Sequence, residues 1–531
     1  MTSISRRQFI FYSLVGLGAL ATGKFFFGKS KKEIPLQILG PNAQAGHRLR
    51  WGDFPEPSEI RQVKTLIVGS GIAGLSAAWW LKRNAYEDFT LLELEDYVGG
   101  NAHSGQNQIS AYPWGAHYVP TPGSEAIYVR ELFEELGLIE TYDQNGEPRY
   151  SPYVLCADPN ERLFLHGQWQ EGLLPQLGAS AQDKKEYERF FRWVDELRLA
   201  RGKDGKKLFA IPIAYSSQDP EWIELDQISF AEYLKQQGYQ STLLLWYLDY
   251  ACRDDYGCKL DQSSAWAGLH YFAARSKEAS VLTWPEGNAW IAKRLSEKFP
   301  EKILKGQLVF ELEEKENLIW AKSWDSKNNC SILWKADQII YAGPQFTFSK
   351  VFLAYRNHKP EAIENFSYAP WMVANLSLKK MPEGRGTPLA WDNVFYQSKS
   401  LGYVVATHQS LDSHPHQTVL TFYYPLCEKS VEEERQNAFA RGPEEWKKLI
   451  LDDFLKVHPE LETEIEDIQV WVWGHAMIRP KPGFIWGKER QSIKAIHNKI
   501  FFAHSDLSGI SIFEEAQYWG VEAAKQVLKK V

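Results

Sequence analysis

The stretch Thr65–Gly74, TLIVGSGIAG, limits the fold more than any other part of the 531-residue chain. Thr65, Leu66, Ile67 and Val68 form a short apolar, β-branched run that predicts a buried strand. Gly69, Gly71 and Gly74 follow as G-x-G-x-x-G and lead into the helical pattern LSAAWWLKR. Gly69 permits a tight turn, Gly71 lets backbone approach a pyrophosphate, and Gly74 with Ala77 and Ala78 lets the helix lie close on a sheet. The phosphates would sit on the amides of Ile72, Ala73 and Gly74 at the helix N-terminus. A second strand, 89–92, ends in Glu93, where a carboxylate can accept hydrogen bonds from a ribose diol. Strand, helix, strand and acid arrive in the order that a dinucleotide-binding unit requires.

Six positions beyond Glu93 stand Gly99 and Gly100, then Asn101, in LLELEDYVGGNAHS. This stretch resembles the Glu-then-GG signature of the flavin-containing amine oxidase superfamily, which also holds polyamine oxidases, phytoene desaturases and protoporphyrinogen oxidases. The resemblance implies FAD rather than NAD, bound by an α/β Rossmann-like domain with an interleaved α+β substrate domain on a mixed sheet.

The N-terminus carries a separate signal. Ser5-Arg6-Arg7-Gln8-Phe9-Ile10 matches the twin-arginine export pattern, and the uncharged run 9–23 follows it as an apolar core. That run is short for a membrane span, which needs about 20 apolar residues, although Phe25–Phe27 could lengthen it into an anchor. Ala19-Leu20-Ala21 offers a cleavage site; an uncleaved anchor is the alternative. Either way the expected location is the periplasm or the outer face of the cytoplasmic membrane, with the export machinery as a partner. Twin-arginine export carries folded proteins, which suits a flavoprotein that acquires FAD before leaving.

Hydrophobic residues at 44% and aromatics at 14% supply ample core, so bulk disorder is not expected. A net charge of −7 gives no basis for nucleic-acid binding. Five cysteines without metal-type spacing imply neither a disulfide framework nor a metal site, and His408, His414 and His416 lack a ligand pattern.

Residues 1–30 read as the signal or anchor and 31–62 as a proline-punctuated spacer. The FAD-binding domain is expected from 63–123, 284–345 and 469–531, and the substrate domain from 124–283 and 346–468. Helices are predicted over 124–139, 184–201, 289–298 and 443–457, and hairpin strands over 303–313 and 318–324. The stretch 246–275, WYLDYACRDDYGCKLDQSSAWAGLHYFAAR, interleaves aromatics with Arg253, Asp254, Asp255 and His270. It reads equally as a pocket wall or as helical core.

On the resemblance, the small residues Gly115 and Ala116 run beside the flavin ring, with His117 and Tyr118 as ring contacts or core. A backbone pair near Val309 clasps the adenine. The C-terminal FFAHSDLSGI with the helix behind it matches the family's final strand and helix, where Asp506 holds the ribityl or phosphate region. Glu514 and Glu515 open a helix whose positive end faces the flavin; His504 and Glu515 replace two family glycines. The family lysine near flavin N5 is missing from its expected place at Ala374 or Asn375. The two aromatic rings of the amine cage fall on Ala476 and Ile512, and the covalent-flavin cysteine on His475, so FAD is expected to be non-covalent. His117, Tyr118, His475 and Trp519 are the candidates for the reaction face. The expected function is an exported FAD-dependent oxidoreductase moving hydride from a small organic substrate. A carotenoid or lipid desaturase or isomerase is an alternative, and so is a non-catalytic binding protein on the same fold.

Overall fold

The computed structural model describes residues 33–276, 280–357, 360–410, 415–493 and 498–530. The twin-arginine motif and its apolar run lie outside the described residues, as does His414. Two large sheets organise the chain. The first is seven-stranded, in the order Ile303–Lys305, Phe89–Glu93, Pro57–Val68, Cys330–Tyr341, Leu318–Asp325, Gln307–Lys315, with Ile500–Phe502 also on Cys330–Tyr341. Its glycine-signature strand pairs in parallel with both neighbours, and helices Ile72–Arg83 and Phe513–Leu528 cover one face. These two helices touch closely, because a Cβ on Gly520 would stand 2.2 Å from the Ala73 carbonyl oxygen.

The second sheet is eight-stranded, in the order Leu36–Leu39, Ile465–Ile478, Tyr368–Leu378, Thr418–Pro425, Tyr403–Val405, Asp392–Phe395, Glu161–Leu165, Gln168–Glu171. Tyr368–Leu378 is buried along its whole length. Helix Pro443–Val457, started by its proline, packs Trp446, Ile450 and Phe454 on one face of this sheet.

Local chemistry sets the boundaries where they depart from expectation. The 124–139 segment is helical only over Ile127–Glu135, since Gly137 turns left-handed at φ 71° and hands the chain to strand Ile139–Tyr142. The charged helix starts at Ala181, where Ser180 and Asp183 bond each other's backbone amides. The aromatic stretch breaks at Gly257, φ 61°, into helices Thr242–Tyr256 and Ala265–Ala273. The spacer is more than a connector. Leu36–Leu39 adds a parallel strand to Ile465–Ile478, Asn42 N donates to Glu95 Oε1 at 2.8 Å, and Pro57 already begins the glycine-signature strand.

Candidate functional site

The glycine turn forms a cradle. Gly69 takes φ 99°, where a side chain would be strained, and a Cβ on Gly74 would lie 1.9 Å from the Gly69 carbonyl oxygen. Gly71 differs: a Cβ there would meet nothing within 4 Å. No side chain caps the helix at Gly71, so its first amides stay open to an anion. The second glycine pair closes the other side, with Gly99 N donating to Ser70 O at 2.9 Å and Gly100 against Gly71. Glu93 is buried at the strand end. Its Oε2 accepts from Ser70 N at 2.7 Å and Ser70 Oγ at 2.6 Å, and its Oε1 from Glu95 N at 2.8 Å. At Val309 the strand ladder shifts register before Glu311, which frees backbone groups there.

Beyond the cradle lies a cavity of about 160 Å³, several times the ~30 Å³ share of one water. Asn101, Gly115, Ala116, Ala476, Ile512, Phe513 and Glu514 line it. So do His117, Tyr118, Asp254, Asp255, Arg275, Trp371, Val373, Tyr423 and Trp473. The loop that carries His117 and Tyr118 is clamped from a distant segment. Asn288 N donates to Ala116 O at 3.0 Å, Asn288 Nδ2 to Tyr118 O at 2.9 Å, and Thr283 Oγ1 to His117 O at 2.9 Å. His117 stacks on Tyr423 with ring centres 4.5 Å apart. Burial lowers its pKa to about 3, so the ring is neutral.

The charges are unevenly partnered. Asp255 pairs with Arg275 at 3.3 Å, whereas Asp254, one residue earlier, faces the cavity with no hydrogen bond or ion pair among the described residues. Burial first, then Asp255, raises the Asp254 pKa to about 7. Glu514 is buried and its Oε2 has no partner; burial raises its pKa too, against the pull of Arg275. Asp506 is fully buried, with Oδ2 held by Gln345 N at 2.9 Å and Tyr368 OH at 2.5 Å. Asp506 Oδ1 lies 3.0 Å from His504 Nδ1, but that nitrogen accepts from Asp506 N, which leaves Oδ1 without a donor. Orphaned buried carboxylate oxygens at Glu514 and Asp506 are acceptors that hydroxyl or N–H groups of a bound cofactor would satisfy. Ile512 provides no side-chain cap to helix Phe513–Leu528, so that helix opens its positive end on the cavity. The residues present therefore fit a dinucleotide cofactor whose ring end enters this cavity.

Two of the four reaction-face candidates, His117 and Tyr118, come together in the cavity, and the other two do not line it. His475 stacks on Phe346 at 4.4 Å, away from the cavity wall. Trp519 donates Nε1 to Ser508 Oγ at 2.7 Å. Glu515 also leaves the wall: it accepts from Ile213 N at 2.6 Å and from Ser508 Oγ, binding the 213 turn to the last helix. His270 is a core residue whose Nε2 meets Ala210 O at 2.9 Å. On Tyr368–Leu378 the alternation turns Trp371 and Val373 to the cavity. Ala374 points into the opposite core, and Asn375 spans Pro113 O and Thr421 Oγ1. Neither Ala374 nor Asn375, where the resemblance puts the family lysine, lines the cavity, and among the described residues no lysine does. Ala476 and Ile512 do line it, so the positions read for the cage are cavity positions occupied by aliphatic side chains. Sequence reading missed Asp392, Glu161 and the Trp371–Val373 face; the period-two alternation of that strand is the one signal that could have found the last of these.

Residues 67–136 match the family described as NAD(P)-binding Rossmann-like domain. The oxidoreductase PigB of a Serratia species is 24% identical over 87% of this chain and 74% of its own length. A tryptophan 2-monooxygenase of Allorhizobium ampelinum is 42% identical, but over only 10% of this chain and 8% of its own. Among solved structures, putrescine oxidase superposes with a TM-score of 0.64 at 17% identity, covering 88% of this chain and 100% of that one. Cyclohexylamine oxidase of Brevibacterium oxydans gives 0.63 at 15%, covering 88% and 99%. A fatty acid isomerase of P. acnes gives 0.59 at 16%, covering 87% and 97%. The chain has the mixed α/β fold that these structures share.

Proposed function

We propose that the protein is an FAD-dependent oxidoreductase that oxidises a carbon bonded to nitrogen in a cationic, extended amine, and that it works outside the cytoplasm after twin-arginine export. The carrying observation is the cavity wall: Asp254, with no hydrogen bond or ion pair among the described residues, presents its carboxyl group among Tyr118, Trp371, Tyr423 and Trp473. Carboxylates with aromatic faces suit a protonated amine and oppose an apolar polyene or a fatty acid carboxylate. Putrescine oxidase and cyclohexylamine oxidase, which share the fold, lend support.

FAD supplies the hydride-accepting chemistry when bound; the chain supplies position. The amides after Gly71, the Glu93 carboxylate and Asp506 would hold the dinucleotide, and Glu514 with the open end of the last helix would hold the ring end. Tyr118 and Tyr423 present π faces to the substrate cation, and neutral His117 adds no repelling charge. Without a lysine or an aromatic pair at 476 and 512, nothing orients a small monoamine at the roughly 3–3.5 Å that reaction needs. A longer amine is held by its second charge instead. The test is anaerobic bleaching of the purified holoprotein: spermidine or putrescine reduces the flavin, while small monoamines and polyenes do not. Bleaching by a polyene alone would replace this reading with a desaturase.

A further inference from the structure

A protonated amine is a poor hydride donor because its nitrogen lone pair is occupied, so the bound substrate must first lose a proton. The cavity offers few groups to take it: among the described residues no lysine lines it, neutral His117 is too weak a base, and Asp255 is engaged by Arg275. We propose, resting on the amine reading above, that Asp254 accepts the substrate's ammonium proton and that Tyr250, Asp392 and Glu161, in that order, carry it toward solvent.

The geometry is specific. Tyr250 and Asp254 stand one turn apart on helix Thr242–Tyr256 and so share a face. The Tyr250 hydroxyl donates to Asp392 Oδ2 at 3.4 Å. Asp392 is the register partner of Glu161 in the parallel pair Asp392–Phe395 and Glu161–Leu165. The two carboxyl groups therefore project from one sheet face, on strands about 4.8 Å apart. Two charges so opposed repel each other, and sharing a proton relieves the repulsion. Glu161 is an exposed residue at the outer end, although partial burial of its carboxyl raises its pKa.

The surroundings fit the task. Burial, then Asp254 and Glu161, keeps Asp392 well above the ordinary carboxylate range, so it holds a proton to pass on. Asp254 faces Asp255, Arg253 and Arg275 from its own side and Asp392 and Glu161 from the sheet. Tyr118 and Tyr423 on the cavity wall and Tyr271 behind it feel its charge, and burial keeps all of them protonated. The step balances without redox change: the N–H bond breaks, its electron pair stays on nitrogen, and the proton bonds to an Asp254 oxygen. The Asp254 carboxyl then returns its proton through the file to water.

The experiment mixes holoprotein with spermidine anaerobically from pH 5 to 9, following flavin bleaching and, in weak buffer with an indicator dye, proton release. Wild type is expected to release a proton before bleaching, with the rate rising to a plateau near neutral pH. Asp254→Asn should retain FAD and slow bleaching by about 10²–10⁴-fold at pH 7, the usual worth of a general base. It should also lose the early proton and recover rate toward the amine's own pKa of about 10. Asp392→Asn, a milder change farther from substrate, should slow proton release with little effect on spermidine affinity. If Asp254→Asn raises the spermidine Kd but keeps the wild-type pH profile and proton release, Asp254 only binds the cation and the proposal falls. If neither variant alters proton release, the file is not the path. Wild type that no amine bleaches would remove the amine reading itself, and the proposal with it.

Discussion

Gly71 and Gly74 stand three residues apart, yet the structure predicts opposite consequences for substituting them. At Gly71 φ is −63°, which any residue adopts, and a Cβ would meet no atom within 4 Å. Gly71→Val therefore costs the fold little beyond a poorer helix cap, about 1 kcal/mol. Its methyl groups occupy the open space before the helix amides, where a pyrophosphate would lie. FAD affinity should drop by 100-fold or more, about 2.7 kcal/mol. At Gly74 the added Cβ would sit 1.9 Å from the Gly69 carbonyl oxygen and 3.1 Å from its carbon, both backbone atoms with no rotamer to yield. Gly74→Ala should cost the apoprotein at least about 1–3 kcal/mol, or several degrees of melting temperature. The assay separates the two effects by melting FAD-stripped protein and titrating it with FAD by flavin fluorescence, because ligand would mask the fold's own loss. Gly71→Val protein that binds FAD like wild type, or that melts as low as Gly74→Ala, would refute the cradle.

Three further outcomes are expected. Arg6→Lys with Arg7→Lys should strand yellow holoprotein in the cytoplasm, as fractionation will show; unchanged export would mean the apolar run is an ordinary signal or anchor. Burial raises the Glu515 pKa to about 7, so its neutral form is favoured in the fold and its stabilising contribution, full below about pH 4.5, is lost as pH rises through 7. Glu515→Gln should therefore melt like wild type near pH 4.5 and gain on it up to pH 7, by something of the order of 3 kcal/mol, with a constant gap above. Ala476→Tyr should fill the cavity and weaken spermidine binding while FAD content holds, because Ala476 meets Asn101 through its backbone oxygen; a tighter small monoamine would show instead that the cage had been restored.

The cofactor side was legible because it rests on backbone geometry that few residues tolerate: Gly69 at φ 99° and Gly74 against Gly69 leave no substitute, and the acid at the strand end follows in fixed order. Helix Pro443–Val457 and the clamp turn at 284–288 were legible from period and turn chemistry, and the hairpin was legible from Gln307 on, whereas Ile303–Lys305, expected to be part of it, pairs in parallel with Phe89–Glu93. Gly520 was not, since its close approach to Ala73 joins segments hundreds of residues apart. Nor was the strand at Leu36–Leu39, too short to show alternation and held by a neighbour near the other end of the chain. The substrate wall was half legible. Asp254 and Asp255 are adjacent in sequence and alike in chemistry, and only the position of Arg275 makes one paired and the other free. Nothing local marks Asp392 and Glu161, because a parallel register between distant segments sets them opposite each other.

Helix Thr242–Tyr256 and strand Tyr368–Leu378 line the cavity as one wall and the 115–118 loop with 511–514 as another, so what aligns these two walls decides the substrate. Gly257 ends helix Thr242–Tyr256 in the left-handed region, and a Cβ there would press within 2.5 Å of Trp371 Nε1 and 2.6 Å of Ala369 Cβ. The helix end is thus seated directly on the long buried strand, which fixes the last turn carrying Asp254 and Asp255 against Trp371 and Val373. Gly257→Ala carries both a backbone penalty of about 1 kcal/mol or more for φ > 0 and this collision, so the last turn must lift from the sheet. None of the cradle residues touches that turn. The variant should keep its FAD and its flavin spectrum yet lose spermidine affinity by about tenfold or more, read as the Kd of the spectral change on anaerobic titration. Loss of FAD in step with spermidine would mean that the two walls are not independent and that the substrate helix also holds the cofactor.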